Sequence, residues 1–124
     1  MEPKHVLVLE DEEEVRASLE AHLVAGGYRV SGVASAAAAI ARLREDPPDI
    51  VVTDLGMPGL DGFGFVTMLR HMSNFNAPIV AVSGRTSERD IEQAMKSGVD
   101  AFLAKPVSRQ QLLDKLAELL SKKE

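Results

Sequence analysis

The amino-acid sequence predicts an α/β fold, a doubly wound parallel sheet of five strands covered by five helices. Three observations lead there. Short apolar runs alternate with longer amphipathic segments five times over. Three of the runs are apolar without alternation and rich in Val and Ile, as in strands buried on both faces. The length, 124 residues, is that of one domain, so all five units are expected to share one sheet, with 1–124 read as a single domain.

The first run is Val6 to Leu9. In the segment after it, Val15, Leu19 and Leu23 recur at four-residue spacing, and Gly26-Gly27 offers the left-handed ending that a helix terminus favours. The second run, Tyr28 to Val33, precedes a weakly amphipathic, Ala-rich helix from Ala36 to Leu43, stopped by Pro47-Pro48. The third run is Ile50 to Val52, and a Gly-rich loop leads from it into a helix over Phe63 to His71. The fourth is Ile79 to Val82; Ile91, Ala94 and Met95 mark its helix, and Gly98 lies just past the end. The fifth is Ala101 to Leu103. Leu112, Leu113, Leu116, Leu119 and Leu120 form one stripe of the last helix, and Ser108 followed three residues later by Gln111 is a capping box at its start. The crossovers between parallel strands are expected to be right-handed.

Composition narrows the function classes. The net charge of −5 opposes a nucleic-acid groove, and one Tyr with four Phe leaves little for base stacking. Without cysteine there is no disulfide scaffold, no Cys-ligated metal and no thiol nucleophile. No apolar run approaches the length of a membrane span. Met1 to His5 does not read as a signal peptide, because the apolar stretch that follows is only Val6 to Leu9. A cytoplasmic location is expected, with no direct contact to nucleic acid or membrane. His5, His22 and His71 show no metal-ligand spacing.

In a doubly wound sheet, ligands bind outside the carboxyl ends of the strands. Glu10 and Asp11 follow the first run, Asp54 the third, Ser83-Gly84 the fourth and Lys105-Pro106 the fifth. These edges point the same way, so three acids, a hydroxyl and an ammonium are expected on one rim. Crowded carboxylates repel, and one raises its pKa unless a cation enters. Mg²⁺ takes oxygen ligands and is usually held by one or two carboxylates plus a phosphate. A divalent cation together with Lys105 balances three carboxylates. A site neutralised in this way can accept a phosphoryl group on a carboxylate oxygen, and Asp is a known nucleophile for that chemistry. Ser83 can donate a hydrogen bond to a phosphoryl oxygen. Glu12, Glu13 and Glu14 read as an acidic helix start favoured by the helix dipole.

At these residues the chain resembles the response-regulator receiver domains of two-component phosphorelay signalling. The resemblance covers residues 5 to 121. It is carried by Val6 to Glu12, by Asp54-Leu55-Gly56-Met57-Pro58-Gly59-Leu60-Asp61-Gly62, by Val82-Ser83-Gly84 and by Lys105-Pro106. It implies the flavodoxin-like strand order 2-1-3-4-5. It implies Asp54 as phosphoacceptor, Glu10 and Asp11 as the acidic pair for Mg²⁺, and the backbone carbonyl of Gly56 as a further metal ligand. Asp11 would ligate directly and Glu10 through water. Ser83 and Lys105 match the switch-linked phosphate contacts. Phe102 matches the aromatic switch position, a reading that stands beside plain core packing. The resemblance also implies a cis Lys105-Pro106 bond. Three departures are visible. The first acid is Glu10 where the family often has Asp. Gly56 and Arg85 occupy the positions that tune phosphoryl lifetime. Phe102 has no hydroxyl.

The expected function is therefore a phosphoryl-accepting switch. A histidine kinase or histidine phosphotransfer protein would donate to Asp54, and the face of the fourth helix, fifth strand and fifth helix would change protein partners. The domain would act alone or belong to a hybrid kinase or larger regulator; Met1 directly before it favours the first. It is expected to be no enzyme beyond its own phosphotransfer and autodephosphorylation. An aspartyl phosphatase needs a second acid two residues past the nucleophile, and that residue is Gly56. A nucleotide-binding module fails for want of a Gly-x-Gly-x-x-Gly or Gly-Lys-Ser/Thr loop. A receiver-like docking domain that is never phosphorylated stays open.

Overall fold

The computed structural model describes residues 2–55, 62–84 and 86–123. Its strands are β1 (His5–Leu9), β2 (Arg29–Val33), β3 (Ile50–Asp54), β4 (Ile79–Ser83) and β5 (Ala101–Ala104). The helices are α1 (Glu13–Ala25), α2 (Ala36–Glu45), α3 (Gly62–His71), α4 (Glu88–Ser97) and α5 (Arg109–Lys123). All strand pairs are parallel, in the order β2-β1-β3-β4-β5. That is the expected doubly wound α/β architecture, in the order the resemblance implies.

The unalternating runs are the three inner strands. β1, β3 and β4 are buried at every residue, while the edge strands β2 and β5 are partly open. Successive side chains point to opposite faces of a strand, so each inner strand feeds two cores. Leu7, Leu9, Val51, Ile79 and Ala81 pack with Leu43 of α2, Phe65 and Leu69 of α3 and Ala94 of α4. Val6, Val8, Ile50, Val52, Val80 and Val82 pack with Leu19 and Leu23 of α1 and Leu112 and Leu116 of α5. Phe65 is fully buried in the first core. Phe65→Ala is expected to cost about 3–5 kcal/mol, lost transfer energy plus a cavity. A urea midpoint equal to that of the unaltered protein would contradict this packing.

Helix ends follow local chemistry. Ser108 and Gln111 form the reciprocal box: each backbone N–H donates to the other's side-chain oxygen at 3.1 Å. Gly98 ends α4 at φ 117°, a left-handed conformation that disfavours side chains. At the end of α1 the positive φ, 91°, belongs to Gly27, while Gly26 is at −84°. Two caps have no counterpart in the pattern reading: Ser35 accepts from the Ala38 N–H, and Ser87 from the Asp90 N–H. Several element boundaries differ from the apolar pattern. α2 runs on to Glu45, β2 starts at Arg29, and Asp54 and Ser83 are the last residues of their strands. The ladder holds these two site residues, with Asp54 opposite Val82 and Ser83 opposite Ala104. No helix among the described residues is long and apolar enough to cross a membrane.

Candidate functional site

Parallel strands bring four chain segments to one rim. β1 delivers Glu10 and Asp11, β3 delivers Asp54, β4 delivers Ser83, and β5 leads directly into Lys105. The backbone N–H of Lys105 donates to the Ser83 carbonyl at 2.9 Å, so these two residues are tied through the main chain. The Lys105-Pro106 peptide bond is cis, as the resemblance implies.

Glu10 is the most constrained member. It is fully buried. Its Oε1 accepts from Lys105 Nζ at 2.6 Å, and its Oε2 accepts from the Glu12 backbone N–H at 3.1 Å. Its own N–H donates to the Val33 carbonyl of β2 at 3.1 Å, and its carbonyl accepts from Arg16 Nη1 at 2.9 Å. Asp54 is 6% exposed, and its Oδ2 lies 3.4 Å from Lys105 Nζ. The Thr53 hydroxyl donates to the Asp54 carbonyl at 3.1 Å. Asp11 is exposed at the rim. Ser83 is 3% exposed at the end of β4. Phe102 is half-buried and packs on the α2–α3–α4 side of the sheet. The Gly56 and Arg85 readings lie outside the described residues.

Lys105 is thus nearer to Glu10 than to Asp54. The contact is made by the residue that is Glu where the family often has Asp. Burial raises the Glu10 carboxyl above its ordinary range, and the Asp54 charge adds to this; Lys105 and the Glu12 N–H pull the other way without winning. For the Lys105 ammonium, burial acts to lower the pKa, but the hydrogen bond to Glu10 and the charges of Asp54 and Glu10 raise it overall. The two directions differ in sense, since burial disfavours the charged carboxylate while the neighbouring acids favour the charged ammonium. The Glu10 side chain has no exposure while that of Lys105 keeps 22%, so the desolvation cost of the pair falls mainly on the carboxylate.

One oxygen each from Glu10, Asp11 and Asp54 lies within 4.8 Å of the others. The donor set is all carboxylate, and one ammonium leaves it short of positive charge. That chemistry fits a hard divalent cation such as Mg²⁺. The sequence reading assigned these three acids to one site, and the structure brings them together. It does not single out Arg16, which lies two residues beyond the acidic stretch and reaches back to the Glu10 carbonyl. Its only trace in the sequence is a lone cation after five consecutive acids and a valine.

Known proteins resemble this chain in sequence and in fold. Residues 6–117 match the family described as the response regulator receiver domain. The chain is 37% identical over 118 residues to the transcriptional regulatory protein PrrA of Mycobacterium leprae, which covers 95% of this chain and 50% of that protein. It spans about half the length of the curated relatives it matches. The structure is similar to the receiver domain of a Francisella response regulator, with TM-score 0.90 and 26% identity over 98% of this chain and 99% of that one. It is also similar to the receiver domain of the Pseudomonas aeruginosa sensor histidine kinase PA1611, with TM-score 0.88 and 28% identity over 96% and 98%. That structure has a magnesium ion coordinated in its active-site cleft.

Proposed function

The chain belongs to the response regulator receiver domain family of two-component signalling, and on that premise we propose that Asp54 is its phosphoacceptor. One observation carries the assignment. Among the described residues, the Asp54 carboxylate, at the carboxyl end of a central strand, is the one acid that both adjoins Lys105 and ends a strand between the acidic pair and Ser83.

In the proposed reaction an Asp54 carboxylate oxygen attacks the phosphorus of a phosphohistidine on a histidine kinase or phosphotransfer protein. The new O–P bond forms as the P–N bond breaks, and the leaving imidazole nitrogen keeps the electron pair and takes a proton from solvent. Water attack at phosphorus later breaks the O–P bond and restores the carboxylate. No other substrate is turned over. Glu10, Asp11 and Asp54 would hold Mg²⁺, which supplies charge neutralisation for the transferring group. Lys105 lies where its ammonium can leave Glu10 for a phosphoryl oxygen, and the Ser83 hydroxyl can donate to another.

The switch follows from the same contacts. Movement of Ser83 is transmitted to Lys105 through their backbone hydrogen bond. Both flank β5, so the face of α4, β5 and α5 responds, with Phe102 repacking on the core beneath it. Differential binding of typically 1–3 kcal/mol between two states is enough to redirect a protein partner. The same site chemistry serves a stand-alone receiver and one joined to a further domain, so the proposal concerns the receiver unit. Cytoplasmic residence is part of the same reading.

The test is intact-protein mass spectrometry after mixing with acetyl phosphate, with and without Mg²⁺. A single Mg²⁺-dependent phosphoryl adduct is expected. If no adduct forms where a control receiver labels, and beryllofluoride shifts no backbone NMR signals at the rim, the phosphoacceptor reading fails. Lys105→Ala is expected to accept the phosphoryl group yet lose the beryllofluoride-induced shifts over α4 and β5. A variant whose shifts match those of the unaltered protein would remove Lys105 from the switch.

A further inference from the structure

We propose that Arg16 is a positioning residue for the acidic pair, supported from behind by Glu20 and by the absence of a side chain at Gly32. The proposal rests on the Mg²⁺-binding reading of Glu10 and Asp11 and adds how their backbone is held.

Three contacts form a continuous line from β2 to the rim. Arg16 Nη1 donates to the Glu10 carbonyl at 2.9 Å. Arg16 Nε lies 3.7 Å from Glu20 Oε1, one helical turn further along α1. The Glu20 carboxylate in turn rests on β2 at Gly32, where a Cβ would come within 2.6 Å of its Cδ and 2.7 Å of its Oε1. Gly32 is therefore the space in which Glu20 lies, and Glu20 is the counter-charge that aims the guanidinium. Opposite, the Glu10 N–H is held by the Val33 carbonyl, the neighbour of Gly32 on the same strand. The peptide group that joins Glu10 to Asp11 thus has its carbonyl fixed by Arg16, and the residue's N–H is fixed by β2.

A simpler account would make Arg16 an ordinary i,i+4 partner of Glu20, a pairing worth a few tenths of a kcal/mol. That account leaves the reach toward the rim unexplained. A cation directed back over a helix N-terminus opposes the helix dipole, so α1 gains nothing from that orientation. The Glu10 carbonyl precedes α1 and belongs to the strand-to-helix turn, whose shape sets where the Glu10 and Asp11 carboxylates stand. Both residues point their carboxylates at the same cation site, and a rotation of the intervening peptide would separate them. Groups that orient metal ligands from behind commonly matter nearly as much as the ligands themselves.

The test uses Arg16→Ala, Arg16→Lys and Gly32→Ala in the full chain. Gly32→Ala displaces only the flexible end of Glu20 and touches no acid of the rim. Calorimetry gives Mg²⁺ affinity; hydrogen exchange of the Glu10 and Glu12 amides, bonded to the Val33 carbonyl and to Glu10 Oε2, is followed in metal-free protein, and urea unfolding reports global stability. Arg16→Ala is expected to weaken Mg²⁺ about tenfold, the lower end of the range for such orienting groups. It should speed exchange at Glu10 and Glu12 while amides in the middle of α1 keep their protection. Arg16→Lys should recover part of the affinity, and Gly32→Ala should show a weaker form of the Arg16→Ala pattern. If the unaltered protein binds Mg²⁺ and Arg16→Ala binds it equally well, the positioning role is overturned. Exchange that accelerates equally throughout α1 and β1 also overturns it, since Arg16 then acts only on stability. If the unaltered protein binds no Mg²⁺, the reading of the metal site falls first and the role of Arg16 with it.

Discussion

Asp54→Asn is expected to fold like the unaltered protein and to accept no phosphoryl group. The amide matches the carboxylate in size, so the 6%-exposed position at the end of β3 is filled without a cavity. An amide oxygen lacks the negative charge that makes the carboxylate a nucleophile. Labelling by acetyl phosphate should fall by at least about three orders of magnitude, within the range seen when a nucleophile is removed. Removing the charge also relieves one of the influences that raise the Glu10 carboxyl, so Glu10 should titrate lower in the variant. Intact-mass spectrometry reads the first effect and side-chain carboxyl NMR the second. Labelling at the unaltered level, with a Glu10 titration that does not move, would place the phosphoacceptor elsewhere.

The second large effect concerns the cation. Asp11 is the exposed acid of the rim, and its removal should leave packing untouched. Asp11→Ala is expected to weaken Mg²⁺ by about 100-fold or more, beyond the lower part of the range for groups that only orient a ligand. Stability then separates two influences of opposite sign. Without metal, three carboxylates face one ammonium, so losing Asp11 relieves repulsion and the variant should be at least as stable as the unaltered chain. With Mg²⁺ at about 100 times its dissociation constant, the unaltered chain gains about 2.7 kcal/mol and the variant almost none. The order of urea midpoints should therefore reverse on adding Mg²⁺. A variant that stays below the unaltered protein in both conditions would mean that Asp11 is a structural residue.

The sequence and the structure divide along the range of the forces involved. β1, β3 and β4 were legible because a strand buried on both faces must be apolar at every position, and that needs no knowledge of neighbours. The box at Ser108 and Gln111 was legible because both partners lie within one helical turn. Ser35 and Ser87 were not singled out, although they too are local. Serine stands in loops as often as at caps, and the weak apolar patterns of α2 and α4 did not mark where those helices begin. β3 extends two residues and β4 one residue beyond their apolar runs, because Thr53, Asp54 and Ser83 are polar. Only the ladder with neighbouring strands keeps such residues in a buried sheet.

At the site, the sequence by itself determined which groups meet. Parallel strands must present their carboxyl ends on one rim, so Glu10, Asp11, Asp54, Ser83 and Lys105 converge whatever the details of packing. What only the tertiary structure decided is how these groups are shared. Lys105 stands closer to Glu10 than to Asp54, burial raises the Glu10 carboxyl, and Arg16 reaches back from α1 to hold the Glu10 carbonyl. Each of these depends on distances of a few ångströms between residues as much as 95 positions apart. Composition and spacing specify the order of elements along the chain, whereas electrostatic and hydrogen-bonding energies vary steeply with separation and desolvation, which exist only once the chain has folded.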